Sequence, residues 1–175
     1  NNGSNAWATS WTEDNDDGNA AGGDIQIANN RIEFRDTTNG GTVTTSFASY
    51  NDFANAVAIQ PDGKIIATGV SLQVTHQTFA LARYCADGSL DDGAHCGPGG
   101  FGNGGRVITA IGSGFGTGFA TGIVVLADGK IVVAGGTGPN PPFTDADFAV
   151  ARLRTSGSAP LDTSFNDDGV RVLAF

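Results

Sequence analysis

Glu13, Asn15, Asp17, Gly18 and Asp24 fall at positions one, three, five, six and twelve of a calcium-loop spacing. Side-chain oxygens at the odd positions, a glycine at the turn and a closing carboxylate together satisfy a hard cation. The match is incomplete, because position one is glutamate, position nine is Ala21 and no helix signal flanks the loop. Two readings stand side by side: a calcium site, and an acidic solvated loop. Asp87, Asp91 and Asp92 form a second acidic group, and Asp162, Asp167 and Asp168 a third. Paired carboxylates can hold a cation or divide acid and base duties, but Asp-Gly turns produce the same composition with neither role.

Ten residues separate Cys85 from Cys96, with Asp87-Gly88 and Asp91-Asp92-Gly93 between them and Gly97-Pro98-Gly99-Gly100 following. A disulfide across it would contribute about 2.5–3 kcal/mol through the unfolded chain and would indicate an extracellular or periplasmic setting. The alternative is two reduced thiols, since a metal would need ligands beyond this pair and His95. His95 and Cys96 are adjacent, a poor geometry for a nucleophile and its base, and His76 lies in a loop beside Gln73 and Gln77. The run from Gly112 to Gly118 has the glycine content of a phosphate loop without its lysine, its following hydroxyl or a helix behind it, so it reads as a connection. Trp7 and Trp11, with Tyr50 and Tyr84, offer broad faces for stacking a sugar; alternatively the tryptophans anchor an N-terminal arm to a partner. No catalytic set emerges, and the chain reads as a non-enzyme.

The elements that must carry these residues repeat. Asp62-Gly63-Lys64-Ile65-Ile66-Ala67 returns as Asp128-Gly129-Lys130-Ile131-Val132-Val133, and Phe79-Ala80-Leu81-Ala82-Arg83 as Phe148-Ala149-Val150-Ala151-Arg152. Asp62-Gly63 and Asp128-Gly129 are turn formers between runs of branched residues: glycine accepts a positive φ, and aspartate bonds the turn backbone. Lys64 and Lys130, the chain's only lysines, each follow such a turn and read as solvent caps or as charge partners across strands rather than as catalytic groups. Strands are expected at Asn55–Gln60, Lys64–Gly69 and Thr78–Tyr84, and again at Thr121–Leu126, Lys130–Gly135 and Asp147–Leu153. Three equivalent strands, Val43–Phe47, Val107–Ile111 and Val170–Phe175, follow Gly-Gly or Asp-Gly. No stretch keeps helical spacing free of glycine or proline. Upstream, Ile25, Ile27, Ile32 and Phe34 mark two short strands around Asn29-Asn30.

This predicts an all-β chain: an N-terminal β arm or partial β domain at 1–38, then a repeat domain at 39–175 with units near 51–111 and 117–175. The nine basic and eighteen acidic residues give a net charge of −9, which argues against nucleic acid or an anionic membrane as partner. No apolar run approaches the length of a transmembrane segment.

The combined motifs, from Ala56 to Gly69, Phe79 to Tyr84 and Asp87 to Asp91, and again through Leu161-Asp162-Thr163-Ser164-Phe165, resemble the delta-60 repeat family, a bacterial propeller-like module. The resemblance covers about Gly40 to Phe175. It implies blade-like four-stranded antiparallel repeats and a secreted or cell-surface protein that binds or scaffolds. The chain departs from the family where Leu90-Asp91 is followed by the cysteine loop before Phe101. Propellers use about four to eight blades, whereas two complete units and the end of another are legible here, so an open or incomplete arrangement is expected. Exposed sheet edges invite strand addition. Copies of the chain or the remainder of a larger parent protein are therefore the expected partners, as in an extracellular filament, with the N-terminal strands as donor. A calcium-stabilised carbohydrate-binding module, with glycan as partner, is the alternative.

Overall fold

The computed structural model describes residues 24–28 and 31–35 as backbone, and residues 43–47, 51–74, 76–111, 117–138, 146–158 and 160–174 with their side chains. The chain divides into two compact units, Asn1–Thr44 and Thr45–Phe175. In the first, β1 (Asp24–Ala28) and β2 (Arg31–Arg35) form an antiparallel hairpin with Asp24 opposite Arg35 and Ala28 opposite Arg31.

The second unit holds two four-stranded antiparallel sheets. One comprises β3 (Asp52–Ile59), β4 (Ile65–Leu72), β5 (Gln77–Tyr84) and β6 (Arg106–Thr109), in that order. The other comprises β7 (Thr117–Val125), β8 (Ile131–Gly138), β9 (Asp147–Leu153) and β10 (Val170–Leu173), again in chain order. Neither meander closes on itself, so the architecture is all-β and propeller-like without a closed barrel.

Each sheet opens with the same hairpin. Gly63 donates its amide to Gln60 O at 2.9 Å, and Gln60 donates to Lys64 O at 2.8 Å. Gly129 and Leu126 repeat both bonds, to Leu126 O and Lys130 O, at 2.8 Å each. Gly63 and Gly129 sit at φ +81° and +80°, the left-handed conformation that lets a four-residue turn rejoin a twisted ladder. The Asp62 and Asp128 carboxylates accept the amides of Lys64 and Lys130.

β3 and β7 begin earlier than their apolar patterns suggest, because each carries a bulge, between Ala54 and Ala56 and between Ala120 and Gly122. A bulge inserts one residue and breaks the two-residue alternation on which a sequence reading depends. β7 consequently absorbs Thr117 and Gly118 from the stretch read as a connection. Val43–Phe47, expected as a strand, forms none. Its counterparts are fourth strands that ladder onto β5 and β9, whereas among the described residues no ladder includes Val43–Phe47. The segment instead meets the first sheet through side chains: Tyr84 donates its hydroxyl to Thr45 Oγ1 at 2.7 Å, and Arg106 Nη1 donates to Ser46 O at 2.8 Å.

The two sheets share one core. Ile66, Phe79, Leu81 and Val107 of the first sheet, with Phe101 and Ile111, cluster with Ala120, Ile131, Val133, Ala149, Ala151 and Leu153 of the second. The packing is front to back. Cross-strand pairing puts Ile66 with Arg83, and Leu81 with both Thr68 and Val107, on one face of the first sheet. Their counterparts by position, Val132, Arg152, Val150, Ala134 and Arg171, lie on the face of the second sheet directed away from this core. Bulge and turn atoms add polar contacts between the sheets, Asn55 Nδ2 to Ala120 O at 2.7 Å and Gln60 Nε2 to Gly129 O at 3.2 Å.

Candidate functional site

The residues with chemical potential gather at the turn end of each sheet. Arg83, last but one on β5, and Asp91, in the following loop, are 2% and 1% exposed. Arg83 Nε and Nη2 lie 2.7 and 2.6 Å from Asp91 Oδ2. The guanidinium also stacks 4.6 Å above the Phe101 ring and donates through Nη1 to Thr155 O of the second sheet's loop. Lys64 reaches Asp62 at 3.2 Å and Asp91 at 3.8 Å.

The second sheet repeats the cluster. Arg152 Nε lies 2.8 Å from Asp162 Oδ2 and its guanidinium 5.0 Å from the Phe165 ring; Lys130 reaches Asp128 at 3.1 Å and Asp162 at 3.6 Å. The Ser164 hydroxyl donates to Asp162 Oδ1 at 2.7 Å and its amide at 3.2 Å. Those bonds outweigh burial and, with the Arg152 and Lys130 charges, hold the Asp162 pKa down at about 2. At Asp62 burial opposes ionisation, yet the Lys64 amide and ammonium keep its pKa below the ordinary carboxylate value. At Asp128 the Lys130 amide and then its ammonium do the same.

A cleft of about 400 Å³ lies between the two turns, lined by Gln60, Lys64, Arg83, Asp91, Asp128 and Thr155 among others. Within it Lys64 and Arg83 face carboxylates, and among the described residues no histidine or cysteine lines it. Such clusters fix loops onto strand ends: Asp91 N–H donates to Arg83 O and Phe101 N–H to Asp91 O, as Asp162 does to Arg152 and Phe165 to Asp162.

The acidic groups read from the sequence separate in space. Asp91 and Asp162 are taken by arginines. Asp87 accepts from the Ser89 hydroxyl and amide, which lower its pKa, and Asp168 accepts from the Val170 amide. Asp92 bonds the His95 ring at 3.0 Å, and the contact drops the Asp92 pKa to about 2 while raising that of His95. Among the described residues no group of three or more His, Cys, Asp or Glu is placed to hold a metal. Of the calcium-loop residues, Asp24 begins β1, whereas Glu13, Asn15, Asp17 and Gly18 lie outside the described residues, as do Trp7, Trp11 and Tyr50. Tyr84 is 6% exposed, and burial raises its phenol pKa against the opposing Thr45 bond and the Arg106 charge.

Cys85 and Cys96 form a disulfide with Cα atoms 5.5 Å apart. It fastens the loop inserted between Asp91 and Phe101 to the end of β5. Phe101 thereby occupies the place that Phe165 takes after Asp162 with only two residues between. The Arg-Asp pairs escape a reading by composition, although the signal was present: both members recur in both units, Arg after Phe-Ala-x-Ala and Asp after Leu.

The remaining feature is a surface. Phe148 is 64%, Val124 58% and Leu173 45% exposed on the outward face of the second sheet, whereas Phe79 and Thr109, the counterparts of Phe148 and Leu173, are 0% and 9% exposed. No curated protein and no solved structure matches the chain. Residues 60–93 and 126–165, each running from the hairpin turn through two strands to the Leu-Asp loop, match the family described as a β-propeller domain of unknown function (DUF5122), and over these parts the chain is a β-propeller-like domain of that kind.

Proposed function

We propose that the chain is a secreted or cell-surface structural and interaction module of the delta-60 repeat type, which assembles with copies of itself through its β repeats, as an extracellular filament subunit would. The observation that carries this reading is the apolar outward face of the second sheet, whose counterpart on the first sheet is the centre of the core. An apolar patch of this kind on a protein surface marks an interaction site. The Cys85–Cys96 disulfide supports an oxidising compartment, where such bonds persist. A non-enzymatic role is supported by the clusters at the turn ends, in which Arg83, Arg152 and both lysines are paired with carboxylates that tie loops to strands. The net charge of −9 favours protein partners over nucleic acid.

The test is particle mass and shape under native conditions across a range of concentrations. Mass that grows with concentration, with elongating particles, is the expected outcome. A particle that stays at one chain's mass from micromolar to millimolar overturns self-assembly.

A further inference from the structure

β6 is an edge strand of the first sheet, with β5 as its one neighbour in the ladder. Arg83 donates its amide to Gly105 O at 2.8 Å, and antiparallel alternation then turns the backbone groups of Val107 and Thr109 toward β5 and those of Arg106 and Ile108 outward. The outward groups of Arg106 are taken by the turn that precedes it: Asn103 donates to Arg106 O at 2.8 Å, and Arg106 donates to Asn103 O at 3.3 Å. Among the described residues the outward N–H and C=O of Ile108 have no such partner, and its side chain is 44% exposed.

A groove of about 470 Å³ follows this edge, within the range of about 300–1,000 Å³ usual for ligand clefts. The side chains of Arg106 and Ile108 stand on one face of β6 and that of Val107 on the other; Phe47, Pro160 and Leu161 complete the apolar walls. The charge in the groove is one-sided. Lys64, Arg83, Lys130 and Arg152 each lie within hydrogen-bonding or ion-pair distance of a carboxylate, whereas Arg106 meets none among the described residues and donates through Nη1 to the neutral Ser46 O.

We infer that the β6 edge is a docking site for an extended, acidic segment of a partner protein, which adds to the first sheet as an antiparallel fifth strand. One residue of the segment exchanges two backbone hydrogen bonds with Ile108. The next, aliphatic, falls on the Val107 face beside Leu161, and the one after it, Asp or Glu, returns to the opposite face and pairs with the Arg106 guanidinium. Each copy of this chain carries −9, so a second copy is opposed at long range, whereas a partner that is neutral or basic outside a short acidic segment is not. The inference rests on the interaction-module reading above and names one of its surfaces, but it does not rest on assembly between identical chains.

The test uses the full chain and two dye-labelled peptides, Gly-Ser-Thr-Val-Ile-Glu-Ser-Gly and its counterpart with Lys in place of Glu, followed by fluorescence anisotropy. The acidic peptide is expected to bind about tenfold or more tightly than the lysine peptide. Arg106→Glu is expected to invert that preference, and Arg106→Gln, which keeps a donor for Ser46 O, to abolish it without inversion. Ile108→Pro removes the outward donor at a place where an edge strand tolerates proline, and is expected to weaken the acidic peptide about fivefold or more. Equal affinity for the two peptides, no binding of the acidic one up to millimolar concentration, or a preference that survives both Arg106 variants overturns the proposal. Particle mass is measured in the same samples. Acidic peptide that binds only as it lowers the mass of existing assemblies assigns the groove to a second copy and likewise overturns the proposal, while a constant single-chain mass that accompanies peptide binding bears against self-assembly alone.

Discussion

Arg83 and Arg152 are the same residue of one motif, and the difference between them is burial. Arg83 and Asp91 are almost fully buried, so removing the guanidinium leaves a buried carboxylate without its main counter-ion. Arg83→Ala is therefore expected to lower unfolding stability by about 3–5 kcal/mol. Arg152→Ala is expected to cost less, because water reaches the side chain and Ser164 still bonds Asp162. Denaturant midpoints of the two variants provide the comparison, and equal losses would mean that burial does not separate the two clusters. Asp162 also gives the molecule an acid limb. Its folded pKa of about 2 lies below the ordinary 3.8, so its contribution is complete above the unfolded value and disappears as pH falls from about 4 toward 2. Asp162→Asn should flatten the fall in stability across that window without changing its slope between pH 6 and 8. A variant whose acid limb matches that of the parent would remove Asp162 from the account.

The hairpins and the order of the strands were legible from the recurring Asp-Gly-Lys turn and the branched runs on either side of it. The bulges were not, since Asn55 and Thr121 share no side-chain type, and what they have in common is a backbone excursion. It leaves a trace in the partner strand: a Cβ added to Gly69 or Gly135 would lie 1.9 Å from the carbonyl oxygen of Phe53 or Phe119. Gly69→Ala is accordingly expected to destabilise by about 2–4 kcal/mol. Gly122, with nothing within 4 Å of an added Cβ, should accept alanine with a gain of up to about 1 kcal/mol from the unfolded chain. Thermal or denaturant unfolding of the pair separates a glycine required by close approach from one that is not. Val43–Phe47 shows the opposite failure: its residues resemble those of a fourth strand, but a ladder needs a neighbour, and alternation in one segment carries no information about what lies beside it. The equivalence of Phe101 and Phe165 was hidden by the inserted loop. Because the disulfide closes that loop, reduction should cost about 2.5–3 kcal/mol, seen as a lower denaturant midpoint in reductant and early cleavage between Cys85 and Phe101. A midpoint indifferent to reductant would show that the ion cluster alone holds the insertion.

The two sheets together make a polar object in the geometric sense, with a front unlike its back, and this is what local motifs could not convey. A count of turns gives the number of units; the burial of Phe79 against the exposure of Phe148 shows that equivalent faces of the two sheets differ in their surroundings. The asymmetry predicts opposite consequences for one substitution at two equivalent positions. Phe79→Ala empties a filled core and should cost about 3–5 kcal/mol, whereas Phe148→Ala should leave the stability of an isolated chain within about 0.5 kcal/mol. If chains associate through the outward face of the second sheet, as proposed, association should respond in the reverse order, because Phe148 lies on that face. Each copy carries −9, so like-charge repulsion opposes the approach that the apolar face favours. Raising ionic strength from about 0.01 to 0.15 M shortens the screening length from about 30 to 8 Å. Sedimentation at fixed protein concentration should then show heavier particles with added salt for the parent chain and a smaller increase for Phe148→Ala. Particles that dissociate as salt rises would assign the contact to opposite charges and remove the outward face of the second sheet from it.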